Sequence, residues 1–242
     1  MNSPQAHPSG PPSVLVVLAH PDDPEFFCGG TVARWSSEGA EITYCLLTRG
    51  DKGADGEGVD PEDLARLREE EQRQAAKVLG VASVMFLDRP DGMLQADIDL
   101  RRDIARVIRS IRPERLITCD PTTLFPRRQR INHADHRAAG QATLDAVYPA
   151  AGSALYFPEL LEEGLQPHKV REVFVAGSQD PNMGVDITDH MDRKLEALRC
   201  HRSQLPDFDE IAAYVKERLR DPGSPSDRPR YVERFLRLEP FG

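Results

Sequence analysis

The chain has 242 residues, 39% hydrophobic and 29% charged, enough for one substantial core and too apolar for a disordered or fibrous protein. A formal net charge of −9 argues against broad electrostatic binding to nucleic acid or to an anionic membrane, although it leaves room for a local basic patch at Phe125–Arg130, FPRRQR. No apolar run approaches the roughly 20 residues needed to span a bilayer.

Residues 1–12 are rich in Pro, Ser and Gly and have neither a charged n-region nor an apolar h-region. They read as a loose tail rather than a signal peptide, with one folded domain over 13–242 and a cytoplasmic location expected. Cys28, Cys45, Cys119 and Cys200 form no C-x-x-C pair, so free thiols in a reducing compartment are expected.

The elements alternate. Val14–Ala19 is a continuous apolar run, as in a strand buried on both faces of a parallel sheet. Gly30–Glu38 reads as a helix closed by Gly39, and Ile42–Thr48 as the second strand. Asp60 can cap the next helix, with Pro61 at its first position, acidic residues in its first turn and Gly80 at its end. Val84–Leu87 is a third strand. Ile98–Ile111 carries a helical apolar stripe at Ile104, Val107, Ile108 and Ile111 and precedes Pro113. Arg115–Asp120 is a fourth strand, Ala134–Val147 a helix and Glu172–Gly177 a fifth strand. Helices follow over Asp189–His201 and Phe208–Leu219. Arg220–Pro229 is a surface loop, and YVERFLRLE, Tyr231–Glu239, is a strand or a short helix. This rhythm predicts an α/β fold, an open and mostly parallel sheet with helices on both faces, in a single domain.

Chemistry concentrates at two strand ends. His20-Pro21-Asp22-Asp23 closes the first strand, and His133-Ala134-Asp135-His136 follows the fourth. Ligands gather at the carboxyl ends of strands in doubly wound folds, so both segments should reach one rim. His20, Asp23 and His136 supply two nitrogens and an oxygen, which with a water make a four-coordinate metal site of the open, catalytic type. This donor set without thiolate suits zinc, and other divalent metals can substitute. Asp22 is left beside the ligands, able to take a proton from an activated water. His133, three residues before His136, can face the same cavity and stabilise an oxyanion. Asp135 either fixes the tautomer of His133 or supports His136. Gly29 and Gly30 are either helix-start glycines or places of close backbone approach beneath the site. His7, His168, His190 and His201 lack this context and read as surface or satisfied polar groups.

AHPDDPEFFCGGT and NHADHRAAG resemble the signatures of the LmbE-like, or PIG-L, family of zinc-dependent deacetylases, which remove acetyl groups from N-acetylglucosaminyl compounds. The resemblance extends in order through LLTRGDKG, REEEQRQAAKVLGV, FLDRPDG, RPERLITCDP and RCHRSQ. It implies a Rossmann-like fold with zinc on His20, Asp23 and His136, Asp22 as general base, and His133 as oxyanion-stabilising acid tuned by Asp135. It also implies that Arg68 and Asp91 hold sugar hydroxyls, that Arg49 and Asp51 shape the rim, and that Glu25 anchors the loop backbone. Two departures stand out. Ala134 replaces a common Pro, and Ile131 and Asn132 stand where some relatives carry an assisting Tyr, leaving Asn132 as the replacement donor. The expected partner is a small N-acetyl sugar conjugate, with homo-oligomer formation open. The alternatives are an amidase of a larger sugar-linked thiol conjugate and, in another class, a nucleotide-binding Rossmann module. The latter lacks G-x-G-x-x-G, and its paired aspartates would repel a pyrophosphate.

Overall fold

The computed structural model describes residues 12–54, 58–126 and 130–241. The expected loose tail, except for its last residue, and the centre of the FPRRQR segment lie outside the described residues.

Strand β1 (Ser13–Leu18) is followed by α1 (Asp23–Ser37), β2 (Glu41–Thr48), α2 (Pro61–Leu79) and β3 (Ser83–Arg89). Then come α3 (Ile98–Ile111), β4 (Arg115–Cys119), α4 (Ala134–Asp145) and an irregular turn, Ala146–Ala151. A short helix α5 (Glu159–Glu162), β5 (Glu172–Ala176) and β6 (Met183–Asp186) precede α6 (Met191–Leu198), α7 (Phe208–Leu219) and β7 (Val232–Leu238). One seven-stranded sheet has the order β3-β2-β1-β4-β5-β7-β6. The first five strands in that order are parallel, while β7 pairs antiparallel with both β5 and β6. Helices α1, α2 and α6 pack together, as do α3 and α4, matching the two-sided cover that right-handed crossovers impose on a parallel sheet.

The best-signalled elements form for the reasons their sequences give. Val14 to Leu18 are all 0% exposed, so β1 is apolar on both faces. The Asp60 carboxylate accepts from the backbone N–H groups of Glu62 and Asp63, and Gly80 ends α2 at φ 77°. Asp97 caps α3 through Leu100 N–H.

Helix α1 departs from expectation by starting at Asp23 rather than at Gly30. Pro24 in its first turn, with Asp23 and Glu25 beside it, is the helix-start signal, and Gly29 and Gly30 lie mid-helix. Gly30 is needed for packing: a Cβ there would lie 2.4 Å from Cδ1 of Ile187. The close approach is therefore to the segment after β6. The ambiguous Tyr231–Glu239 segment forms a strand, inserted between β5 and β6. Among the described residues, no helix is long and apolar enough to cross a membrane.

The order reverses between β1 and β4, which pair directly with Val14 opposite Arg115 and Val16 opposite Ile117. A crevice opens where neighbouring crossovers leave in opposite directions, at the carboxyl ends of these two strands. Both His/Asp segments sit there.

Candidate active site

Two connections build the site. After β1 the chain turns through Asp22, whose backbone is left-handed at φ 89° and ψ −28°, and α1 begins at the next residue. After β4 a longer connection ends at His133, the N-cap of α4. His133 Nδ1 accepts the Asp135 backbone N–H at 3.1 Å, so the neutral ring carries its proton on Nε2. Burial lowers the His133 pKa, and the neighbouring His20 and His136 lower it further.

The three imidazoles form a triangle. Ring centroids are 4.7 Å apart for His20 and His133, and 5.3 Å for both His20–His136 and His133–His136. The Asp23 carboxylate lies between two of them: Oδ1 is 3.0 Å from His136 Nε2, and Oδ2 is 3.4 Å from His20 Nδ1. Oδ2 also accepts the His20 backbone N–H at 2.9 Å. Burial pushes the Asp23 pKa up, but His136 and His20 outweigh it and hold the group well below the usual carboxylate range.

His20 Nε2 faces two carboxylates, Asp91 Oδ1 at 3.1 Å and Asp135 Oδ2 at 3.2 Å, and carries the proton between them. Nδ1 is thereby left to face Asp23 and His136. Burial disfavours a charged His20, yet hydrogen bonds to Asp135, Asp23 and Asp91 push its pKa up to about 12. A cation entering here would displace a proton from this ring.

These residues fit a zinc ion. One donor atom from each of His20, Asp23 and His136 falls within 4.8 Å of the others. Donors at zinc distances of 2.0–2.1 Å on a tetrahedron stand about 3.4 Å apart, and the Asp23 carboxylate reaches His136 through Oδ1 and His20 through Oδ2 at 3.0 and 3.4 Å. The set is mixed N/O, without thiolate.

Asp22 lies next to this group. Its Oδ2 is 3.3 Å from Arg68 Nη2. Burial pushes its pKa up to about 6, with Arg68 opposing the rise and Asp23 adding to it. That places Asp22 where a carboxylate can serve as a base near neutral pH.

The other expected residues divide. Asp135 is buried; it accepts backbone N–H groups from Gly92 (2.7 Å) and Leu94 (3.1 Å) and meets His20. Its carboxylate thus stands against His20, while its backbone N–H meets His133. Asp91 accepts the Lys52 backbone N–H at 3.1 Å and lines the cleft with Arg68. Arg49 is not brought to the cleft. Its guanidinium holds Glu62 at 2.8 and 2.9 Å and also binds Glu69, beside a separate hollow that includes Asp51 and Asp88. Asn132 lines the cleft, but its amide donates to the Thr123 carbonyl at 2.8 Å.

The cleft has a volume of about 760 Å³. Phe26 and Phe27 form part of its wall, and Ile211, Tyr214 and Arg218 reach it from one face of α7. Spacing at i, i+3 and i+7 would have identified that face only if the position of α7 were known. His201, expected as a surface or satisfied polar group, is 0% exposed, with Nε2 3.0 Å from Glu25 Oε2. Burial lowers its pKa, but Glu25 outweighs that and raises it.

Residues 15–147 match the family model described as PIG-L, GlcNAc-PI de-N-acetylase. The chain is 36% identical over 194 residues to a diacetylchitobiose deacetylase of Thermococcus kodakarensis, spanning 80% of this chain and 70% of that protein. It is 30% identical over 237 residues to a 1D-myo-inositol 2-acetamido-2-deoxy-alpha-D-glucopyranoside deacetylase of Rhodococcus erythropolis, covering 79% of this chain and 81% of the other. The solved N,N'-diacetylchitobiose deacetylase of Pyrococcus horikoshii is similar with a TM-score of 0.84 and 28% identity, over 94% of this chain and 84% of that one. The chain belongs to the PIG-L (GlcNAc-PI de-N-acetylase) family and is an amide-hydrolysing enzyme of that family.

Proposed function

We propose that the protein is a zinc-dependent N-deacetylase that releases acetate from an N-acetylglucosaminyl-type conjugate, with water as nucleophile and Asp22 as general base. One observation carries this reading: a two-His, one-Asp donor set shares a cleft with a carboxylate of raised pKa and a histidine carrying its proton outward. The similar proteins of Thermococcus and Rhodococcus, both named as deacetylases of acetamido sugars, support it.

His20, Asp23 and His136 would hold the ion. Zinc, when bound, acidifies water and polarises a carbonyl oxygen. Asp22 takes the proton of the attacking water as the new carbon–oxygen bond forms. His133 donates from Nε2 to the oxygen of the acetamide as negative charge grows there. The carbon–nitrogen bond then breaks, and the proton held by Asp22 passes to the departing amine, leaving acetate and a free amino sugar. The carboxylates of Asp135 and Asp91 hold the His20 ring in the orientation that turns Nδ1 inward. A cleft of about 760 Å³, within the range of sites for drug-sized ligands, has room for a conjugate that extends beyond the reacting sugar toward α7.

The test is to supply metal-replete protein with N-acetylglucosamine and N,N'-diacetylchitobiose and to measure acetate and primary amine together. Equal release of both is expected. Asp22→Asn should retain zinc and lose about 10²–10⁴-fold in kcat, while His136→Ala should lose zinc. Near-normal turnover by zinc-loaded Asp22→Asn would overturn the assignment of the base.

A further inference from the structure

Beneath the cleft lies a row of buried polar side chains that the mechanism above does not use. Gln72 is 0% exposed on α2, one turn beyond Arg68. Its Oε1 accepts the Asp22 backbone N–H at 2.9 Å. Its Nε2 donates toward both oxygens of Glu25, each at 3.1 Å. Glu25 Oε2 also accepts from Nε2 of His201, which follows α6, at 3.0 Å. The His201 segment is tied to α2 again: Glu71 accepts the Ser203 backbone N–H at 2.9 Å and its hydroxyl at 2.6 Å.

Three features connect this row to Asp22. The left-handed backbone of Asp22 at φ 89° is strained for a non-glycine residue and persists only where its surroundings dictate it. The Asp22 side chain makes no capping bond to α1 that would do so locally. A buried Glu–His pair is a poor way to stabilise a core, since apolar residues of the same volume do as well or better. Finally, each bond orients the next. The Glu25 carboxylate only accepts, so the NH₂ of Gln72 must face it, and the Gln72 carbonyl is thereby presented to the Asp22 N–H.

We infer that His201, Glu25 and Gln72 are positioning residues that fix the Asp22 backbone and so aim its carboxylate into the cleft beside Arg68. The kinetic part of this inference rests on Asp22 acting as the base in the deacetylation proposed above; the structural part does not.

The experiment compares wild type with Gln72→Met, His201→Gln and His201→Leu, all zinc-loaded, with N,N'-diacetylchitobiose as probe. Bound zinc, kcat and KM are measured, and Gln72→Met and His201→Leu are crystallised. Gln72→Met is expected to lower kcat at least tenfold, with KM within twofold and zinc stoichiometry unchanged. His201→Gln, which keeps a donor for Glu25, should stay within threefold of wild type, whereas His201→Leu should fall with Gln72→Met. In the crystals of Gln72→Met and His201→Leu, Asp22 should leave φ near 89°. Equal kcat for the two His201 variants, or Asp22 unmoved in the crystals, would overturn the inference. Loss of melting temperature with kcat per zinc-loaded molecule unchanged would do the same. If Gln72→Met does not fold, the His201 pair decides. If wild type releases no acetate, the deacetylase reading falls by itself, and the conformation of Asp22 in the variants still decides the positioning role.

Discussion

Arg68→Lys separates a solvated helix charge from a buried strut. The Arg68 guanidinium reaches three acceptors at once: Pro21 O at 2.7 Å, Gly50 O at 3.0 Å and Asp22 Oδ2 at 3.3 Å. Gly50 and Gly53 lie so close that a Cβ on either would be 2.4 or 2.2 Å from Nη1. A lysine ammonium is a point donor on a flexible stem and cannot span this fork, so it keeps one acceptor and loses two. Each charge-assisted bond is worth about 1.5–3 kcal/mol. The Asp22 contact is long and belongs at the low end, so about 3–4 kcal/mol is lost. For a domain of this size, a kcal/mol shifts the midpoint by about 2–4 °C, which gives a fall of roughly 6–16 °C. The assay is calorimetry, with fluorescence of Trp35, which is 6% exposed in the core, as a second probe. Arg66→Lys on the same helix is the control. Its side chain is 60% exposed and pairs with Glu62 and Asp63 on the same helix, so a shift within about 0.5 kcal/mol is expected. If Arg68→Lys shifts the midpoint no further than Arg66→Lys, the strut reasoning is wrong.

Three other outcomes are expected. Lys194, 0% exposed, donates to Glu233 Oε1 at 2.8 Å, and Lys194→Met should destabilise by about 3–5 kcal/mol in urea unfolding because a buried carboxylate loses its cation; Lys194→Met with Glu233→Leu should recover part of that loss, and simple additivity of the two changes would count against the pair. Burial pushes Glu172 up from its usual 4.5, but hydrogen bonds from Arg237, Arg115 and Arg171 outweigh it and leave the group lowered. A lowered carboxylate adds stability above its unfolded value and loses it as pH falls through the folded value. The stability gap between wild type and Glu172→Gln should therefore be full at pH 7 and shrink below about pH 4.5; an equal gap at pH 3 would refute the sign. Tyr214→Ala should raise KM for N,N'-diacetylchitobiose by about 2–10-fold, the worth of one aromatic face, and leave N-acetylglucosamine kinetics unchanged. A matching rise for the monosaccharide would remove α7 from the conjugate end of the cleft.

Legibility in the sequence followed the range of the interactions. The bounds of α2, α3 and α7 were readable because caps, an apolar stripe and breakers are local. The start of α1 was misjudged because Gly29 and Gly30 look like breakers. The place of Gly30 mid-helix is explained by Ile187, far along the chain. Strand β6, Met183–Asp186, is four residues with a glycine and no alternation, and its identity comes from pairing with β7. At the site, the two short motifs were readable because one closes β1 and the other opens α4, both at the switch point. The position of Arg49 was not, since its charge is absorbed by Glu62 in the first turn of α2 and by Glu69 two turns further along. His201 was hidden for the same reason: its partner Glu25 is 176 positions away.

The insertion of β7 between β5 and β6 has a consequence for synthesis. Glu233 on this strand accepts the backbone N–H groups of Gly30 and Thr31 across separations of 203 and 202 positions. A nascent chain that has emerged through α6 holds both His/Asp motifs, yet it lacks the carboxylate that braces the helix beneath them and the strand that joins β6 to the sheet. The ribosome must therefore deliver residues 232–238 before the edge of the sheet can close, and long-range closure of this kind is slow. Until then β5 and β6 present bare backbone to other chains, and a chaperone that shields that edge would raise the yield of folded enzyme more than one that binds the amino-terminal half.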